Sequence, residues 1–435
     1  MSALDTSSAR EIIRHLKAGT TPIEHVEHLN VGNERWYAAA SEHFEDIQQD
    51  GDSLVRFVNG YYGDGKTHFL GMLRSLAFNR KWVVTYVTAE KTPLSKFDRV
   101  YCEMVQNLTF PPSAPLLPWL NGATNVGGAG LLACLFSAVY AQVCGAQDDS
   151  GLRNVRALER LALRATEIFA HPGLDEMMAK AGRNYFDAVL KKNGQRAKEI
   201  ATWLEGGNLR IREIGLTRRI DPVFARDAMR GISIMAKAAG AAGILILLDE
   251  AERIMEHTRS VRNRSYGVIR DMLDNADNQG GMRSSIIYIA ATPDTFQSEK
   301  GFPEYDALRT RLANAQRLAI PGFIDWRGPI VDLTKTPLPH TALMDLAQKV
   351  RTIHAIARGK DHVNGFDDSV LQQIVSKVEN QVFQVSKPRM LASYMATILD
   401  LADQNPGADI TQALDQTLRQ VQEVVTVRPE SKDWE

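Results

Sequence analysis

The sequence has few cysteines, no excess of either charge sign and no uninterrupted hydrophobic run of membrane length. Only Cys102, Cys134 and Cys144 occur among 435 residues. Their spacing fits no metal-binding pattern, which excludes a disulfide scaffold and points to a reducing, cytoplasmic setting. Lys and Arg total 51 against 52 Asp and Glu, a formal charge of -1. No global pull toward nucleic acid or anionic lipid follows from that balance. The stretch Met104 to Gln147 lacks charged residues. Pro111, Pro112, Pro115 and Pro118 break its first half, the apolar remainder Gly130 to Gly145 is short for a bilayer, and no basic cluster flanks it. A buried helix or partner-facing surface is expected there, not a membrane span. Met1-Ser2-Ala3-Leu4-Asp5-Thr6 carries no basic region before an apolar run, so no secretory signal is expected. The remaining composition, 24% charged and 44% hydrophobic with 31 Gly and 17 Pro, excludes global disorder and collagen-like repetition. The length predicts two or three domains.

Apolar spacing of three and four predicts helices over Ala9 to Lys17 and Glu34 to Gln48. Leu54 to Asn59 is a strand candidate closed by Gly60, followed by a helix from Lys66 to Phe78 and a second strand, Trp82 to Val87. Residues 99 to 235 read as predominantly helical, an insertion expected to lie outside the ligand crevice and to offer a partner or oligomer surface. Within it Gly127-Gly128-Ala129-Gly130 reads as a flexible joint. Ile244 to Leu248 is a continuous apolar run, as a strand covered on both faces requires, and Ser285 to Ala291 is another. A helical stretch from Ala251 to Asn275 makes the parallel crossover between them. Ile330 to Leu333 is a last strand candidate. Beyond Pro337 and Pro339 a helical domain runs to about Val424. The domains are therefore an N-terminal helical segment (1–50), an α/β core (51–335), a helical domain (336–425) and a charged tail (426–435).

Gly60-Tyr61-Tyr62-Gly63-Asp64-Gly65-Lys66-Thr67 fits G-x-x-x-x-G-K-[ST] with a strand before it and a helix after. Glycines let the backbone curl so that N–H groups point at phosphate oxygens, and the helix N-terminus adds to the field. Lys66 brings a cation to the β- and γ-phosphates of ATP, and the Thr67 hydroxyl is a magnesium ligand candidate. The apolar run 244–248 ends in Asp249-Glu250, and acids at the C-terminal end of a parallel strand face the ligand crevice. Asp249 suits the Mg2+ ion and Glu250 a water attacking the γ-phosphate. The same two acids would also serve a plain strand-to-helix junction. Thr292-Pro293 closes the strand 285–291, where Thr292 is either a polar contact to the γ-phosphate or part of a simple turn. Arg309 and Arg311 stand near a helix end, placed for a neighbouring subunit's γ-phosphate or for solvent. Lys387-Pro388-Arg389 opens a helix from which Arg389 can reach the nucleotide.

These parts, in this order, resemble the AAA+ ATPases, particularly the initiator-like branch. The resemblance implies an α/β P-loop NTPase (AAA+) core with a parallel sheet, a long helical insertion and a C-terminal helical lid. It implies Gly60 to His68 as the phosphate-binding segment, Asp249 and Glu250 as the Walker B acids, and Thr292 as sensor 1. Arg309 or Arg311 becomes the arginine finger and Arg389 becomes sensor 2. Ala9-Arg10-Glu11-Ile12-Ile13, Asn30-Val31-Gly32, Phe57 to Leu70 with its Thr67-His68-Phe69-Leu70 end, and Tyr305 to Leu312 are similar to BrxD-type ATP-binding proteins of BREX phage-defence islands. Those proteins are encoded beside a helicase-like partner, so antiviral defence, self-association and such a partner are implied. Two departures stand out. Val31-Gly32-Asn33 replaces the usual Val-Gly-Arg, and only Arg428 to Glu435 follow the lid, so no winged helix is expected.

The leading expectation is an oligomerising, Mg2+-dependent ATPase. An ATP-holding switch or adaptor with little turnover is the alternative, and Glu250 beside Asp249 disfavours a small-molecule kinase. DNA contact through Arg259, Arg262 and Arg264, or through Arg210, Arg212, Arg218 and Arg219, competes with a solvated or salt-bridged surface. His25 and His28 share a helix spacing with Glu24 and Glu27, and a solvated face is expected there.

Overall fold

The computed structural model describes residues 4–92, 94–120, 124–145, 148–277, 282–306, 308–310, 312, 322–360, 366–381, 386–406 and 410–426. Arg311 and residues 427–435 of the charged tail lie outside the described residues. The strands are β1 (Ser53–Asn59), β2 (Val83–Thr88), β3 (Ile244–Asp249), β4 (Ser285–Ala291) and β5 (Ile330–Asp332). The first helices are α1 (Thr6–Lys17), α2 (Glu34–Asp50) and α3 (Lys66–Asn79). Next come α4 (Phe97–Gln106), α5 (Gly127–Cys144), α6 (Val155–Phe169), α7 (Glu176–Leu190), α8 (Gly194–Leu204) and α9 (Phe224–Ala238). α10 (Arg259–Asp277) and α11 (Pro293–Gln297) flank β4, and α12 (His340–Arg358), α13 (Asp368–Glu379), α14 (Lys387–Gln404) and α15 (Ile410–Thr426) follow β5.

The chain divides into two units, one of residues 1–37, 58–75 and 331–435, the other of residues 38–57 and 76–330. The strand order of the sheet is β2-β3-β4-β1-β5, and β2, β3 and β4 lie wholly in the second unit. β2 and β4 each pair in parallel with β3. Every residue of β3 and β4 is buried, which is why both read as unbroken apolar runs. The crossover predicted over 251–275 is interrupted: a 3-10 turn, Ala251–Glu256, ends at His257 in an extended conformation before α10 begins.

The helices between β2 and β3 share one apolar core with the sheet. α4 packs on β2, and the Thr85 hydroxyl donates to the Met104 carbonyl (2.7 Å). α5 is buried from Leu131 to Phe136, where the Phe136 ring meets Phe186 and Trp119. Truncating such a ring typically costs about 3–5 kcal/mol. α5 has the length and composition of a membrane span, yet 72% of it is buried within the protein. The expected joint at Gly127-Gly128-Ala129-Gly130 is instead the first turn of α5. Glu205 fixes it by accepting from the Gly128 and Ala129 N–H groups (2.8 and 3.3 Å), a carboxylate at the positive helix end.

The first unit gathers α1 and the C-terminal helices around a separate apolar cluster. Asp5 caps α1 through the Ser7 and Ser8 N–H groups (2.7 and 3.0 Å). Ala9, Ile12, Ile13 and Leu16 then form its buried stripe, the three-four spacing of an amphipathic helix. At the centre of this unit Asp400 of α14 accepts from Lys17, His354 (2.8 Å) and Arg358 (2.9 Å).

Candidate functional site

Within the first unit, residues 60–65 turn sharply between β1 and α3, with φ at +87° for Gly63 and +90° for Gly65. A Cβ is strained in that left-handed region, so glycine is the residue that fits. Asp64 tightens the turn by accepting from the Tyr61 N–H (2.7 Å), and burial raises its pKa above the ordinary value. Lys66 opens α3 but folds back over the loop, donating to the carbonyls of Gly60 (2.9 Å) and Tyr61 (3.3 Å). Its ammonium lies 5.1 Å from the centre of the Tyr62 ring. Only 7% of the residue is exposed, so a buried cation is held at the head of a helix whose N-terminus favours anions.

The start of α14 meets this loop. The Ser386 N–H donates to the Tyr62 carbonyl (3.2 Å). A Cβ on Gly63 would lie 2.9 Å from Ser386 Oγ and 3.1 Å from Arg389 Cβ. Arg389 is thus brought beside the loop, and its buried Nε has no hydrogen-bond partner among the described residues. Burial lowers the pKa of its guanidinium. On the other flank, His68 Nε2 is 3.4 Å from Asn30 Oδ1, and Lys349 donates to the Asn30 carbonyl (2.5 Å). Burial, with the Lys349 charge, lowers His68 to about 4, so its ring is neutral at pH 7. Asn33 has φ +63° and a buried Oδ1 without a partner among the described residues.

Within the second unit, Asp249 ends β3 with 1% exposure. It accepts from Tyr86 Oη (2.7 Å) and from the Glu250 N–H (2.9 Å). Glu250 sits at φ +58°, a left-handed conformation of the sort that costs about 1–3 kcal/mol in a residue with a side chain. Its carboxylate accepts from Thr88 Oγ1 (3.2 Å) and lies 4.0 Å from Arg253 Nε. Burial first, then the charges of Asp249 and Glu90, raises its pKa. Thr292, buried after β4 at the same end of the sheet, stands just before α11 with its Oγ1 3.5 Å from Thr295 Oγ1. Arg309 is exposed and pairs with Asp306 (2.6 Å).

A family model described as the BREX system ATP-binding protein BrxC/D matches residues 4–418. The chain belongs to this family. No curated protein and no solved structure matches it. Membership points to ATP binding in phage defence and to other components of the defence system as partners. The α/β architecture, with its parallel strands and the loop after β1, agrees with a P-loop NTPase-like core.

For a BREX ATP-binding protein the sequence motifs name only part of the site. Tyr86, Thr88 and Glu90 surround the acid pair from the end of β2, and Arg253 stands between Glu90 (3.5 Å), Glu250 and Glu256 (3.2 Å). None belongs to a motif, and the one signal in the sequence was a polar Thr-Ala-Glu ending to an apolar strand. Ser386 and Tyr62 were equally hidden as a pair. Several arginines considered for DNA are engaged within the protein. Arg259 and Arg262 meet Glu304 (3.4 and 2.9 Å), Arg218 meets Asp221 (3.0 Å), and Arg210 meets Glu213 (3.3 Å).

Proposed function

We propose that this chain is a magnesium-dependent ATPase of AAA+ type. In this reading it assembles with copies of itself, and its nucleotide state governs a helicase-like partner or a DNA-bound complex in antiviral defence. The loop N–H groups and Lys66 take the triphosphate, with Lys66 exchanging its bonds to the Gly60 and Tyr61 carbonyls for phosphate oxygens. Arg389 adds a second cation from α14, which acts as the start of a lid over residues 336–425. Thr67 and Asp249 supply the hard oxygen donors that magnesium prefers. Bound there, the ion would draw charge from the phosphate oxygens. Glu250 accepts the proton of the attacking water, Thr292 orients that water, and Arg309 or Arg311 of a neighbouring copy meets the charge that develops on the γ-phosphate.

The observation that most supports hydrolysis over mere binding is Glu250. An acid held in a strained conformation, with its pKa raised above the ordinary carboxylate value by burial and two neighbouring acids, suits a general base. The test is ATP turnover by the purified chain and its Glu250→Gln variant, with light-scattering mass under ATP, ADP and neither. Turnover lost with ATP still bound, and assembly favoured by ATP, are the expected results. Strict monomers in all three states would remove the arginine in trans.

A switch that holds ATP with little turnover is the second reading. It is favoured by the engagement of Glu250 with Thr88 and Arg253, which ties the base down. Turnover that remains negligible with partner and DNA both present would select it.

A further inference from the structure

Away from the acid pair, the second unit contains a cavity of about 750 Å³. It opens where β1 and β4 begin, the edge of the sheet opposite to that bearing Asp249 and Thr292. There the Ser284 N–H donates to the Gly51 carbonyl (3.0 Å). Arg230, Ile234 and Lys237 line it from one face of α9, Arg164 and Ile168 from α6, and Arg283 from the entry to β4. Four cations thus converge over an apolar floor. Glu167 is the one carboxylate in the lining, and Arg164 already holds it (2.7 Å).

Among the described residues no carboxylate pairs with Arg230, Lys237 or Arg283. Arg283 Nε reaches only the Gly51 carbonyl (3.3 Å) and Lys237 Nζ only the Ala242 carbonyl (3.2 Å). The Nε of Arg230 is buried with no hydrogen-bond partner among the described residues. Arg164, Lys237 and Arg283 are exposed and reach water, whereas the buried Nε of Arg230 is a charged donor that an anion in the cavity would complete. The nearby Arg226, by contrast, is matched by Asp271.

We infer that this cavity is a second ligand site, taking a phosphorylated small molecule of mononucleotide size. Its volume and its mixture of apolar floor and few convergent polar groups are those of small-molecule pockets. The phosphate would meet Arg230 and Arg283, and a ring or apolar body would cover Ile168 and Ile234. A nucleic-acid surface would instead present its cations along an open stripe.

The test is calorimetric titration of the full chain with AMP, UMP and inorganic pyrophosphate, the phosphate loop first being saturated with ATPγS. A mononucleotide should bind once per chain, more weakly as salt rises. The Arg230→Gln/Arg283→Gln variant should lose at least about tenfold in affinity, the effect of removing two charged hydrogen bonds, while ATPγS binding is unchanged. If that variant does not fold, Lys237→Gln at an exposed position replaces it and should weaken binding in the same direction. Absence of binding at millimolar probe, or equal binding by the variants, overturns the proposal. So does binding that disappears in Lys66→Ala alone, which would assign the probe to the loop. A short DNA strand bound in a variant-sensitive way while every small probe fails would make the cavity a nucleic-acid contact and overturn it too.

Discussion

The Ser386 N–H donates to the Tyr62 carbonyl, joining the start of α14 to the glycine-rich loop 60–65. Gly63 makes this approach feasible, since a Cβ there would press on Ser386 Oγ at 2.9 Å and on Arg389 at 3.1 Å. Gly63→Ala is expected to weaken ATP binding at least tenfold and to lower stability by more than the backbone strain of about 1 kcal/mol alone. Gly240→Ala measures that strain by itself, because Gly240 has φ +92° and nothing within 4 Å of the added carbon. Equal losses of stability in the two variants would show that the contact with α14 contributes nothing.

Lys66 is nearly buried and donates to the Gly60 and Tyr61 carbonyls of its own loop. Those bonds are dispensable to the fold, since carbonyls at a loop can turn to water. Lys66→Ala should therefore keep its circular dichroism and lose ATP affinity by about a hundredfold, two charge-assisted hydrogen bonds at the lower end of their usual range. Unchanged affinity by calorimetry would sink the phosphate-loop reading.

Glu250 has its pKa raised by burial, by Asp249 and by Glu90. As a general base it works only when ionised, so turnover should climb with pH through that raised value. Glu90→Gln removes a like charge and should move the acidic limb of the pH–rate profile to lower pH. For stability the sign is opposite: an acid whose folded pKa lies above its unfolded value contributes below the unfolded pKa, and loses that contribution as pH rises through the folded one. A limb that does not move on Glu90→Gln would remove Glu250 from the titration.

Asp400 is almost fully buried. Burial pulls its pKa upward, but hydrogen bonds from Lys17, His354 and Arg358 outweigh it and hold the carboxyl at about 2. Its folded value is depressed, so its contribution is complete above the unfolded value of about 4 and is lost as pH falls from about 4 to about 2. Asp400→Asn leaves the Lys17 and Arg358 cations facing a neutral amide and should destabilise the first unit by about 3 kcal/mol. Denaturant titrations at pH 7 and pH 2.5 check both statements: the variant's deficit should be large at the first and shrink at the second.

The sequence by itself determined the local elements and the family of the chain. Ile244 to Asp249 and Ser285 to Ala291 are legible because a doubly covered strand has no polar alternation to confuse it. The sharp turn between β1 and α3 is legible because its glycines, lysine and threonine stand within eight consecutive residues. The Gly127 to Gly130 stretch misled for the opposite reason: its partner, Glu205, lies 77 residues from Gly128 and leaves no local trace. The tertiary structure alone decided that residues 58–75 group with 1–37 and 331–435, and that Tyr86 supports Asp249 across two strands. It alone gathered Arg164, Arg230, Lys237 and Arg283 around one cavity. Helical and strand periods report which side of an element is apolar, whereas contacts between distant positions depend on how whole elements pack, and that is settled only when the cores close.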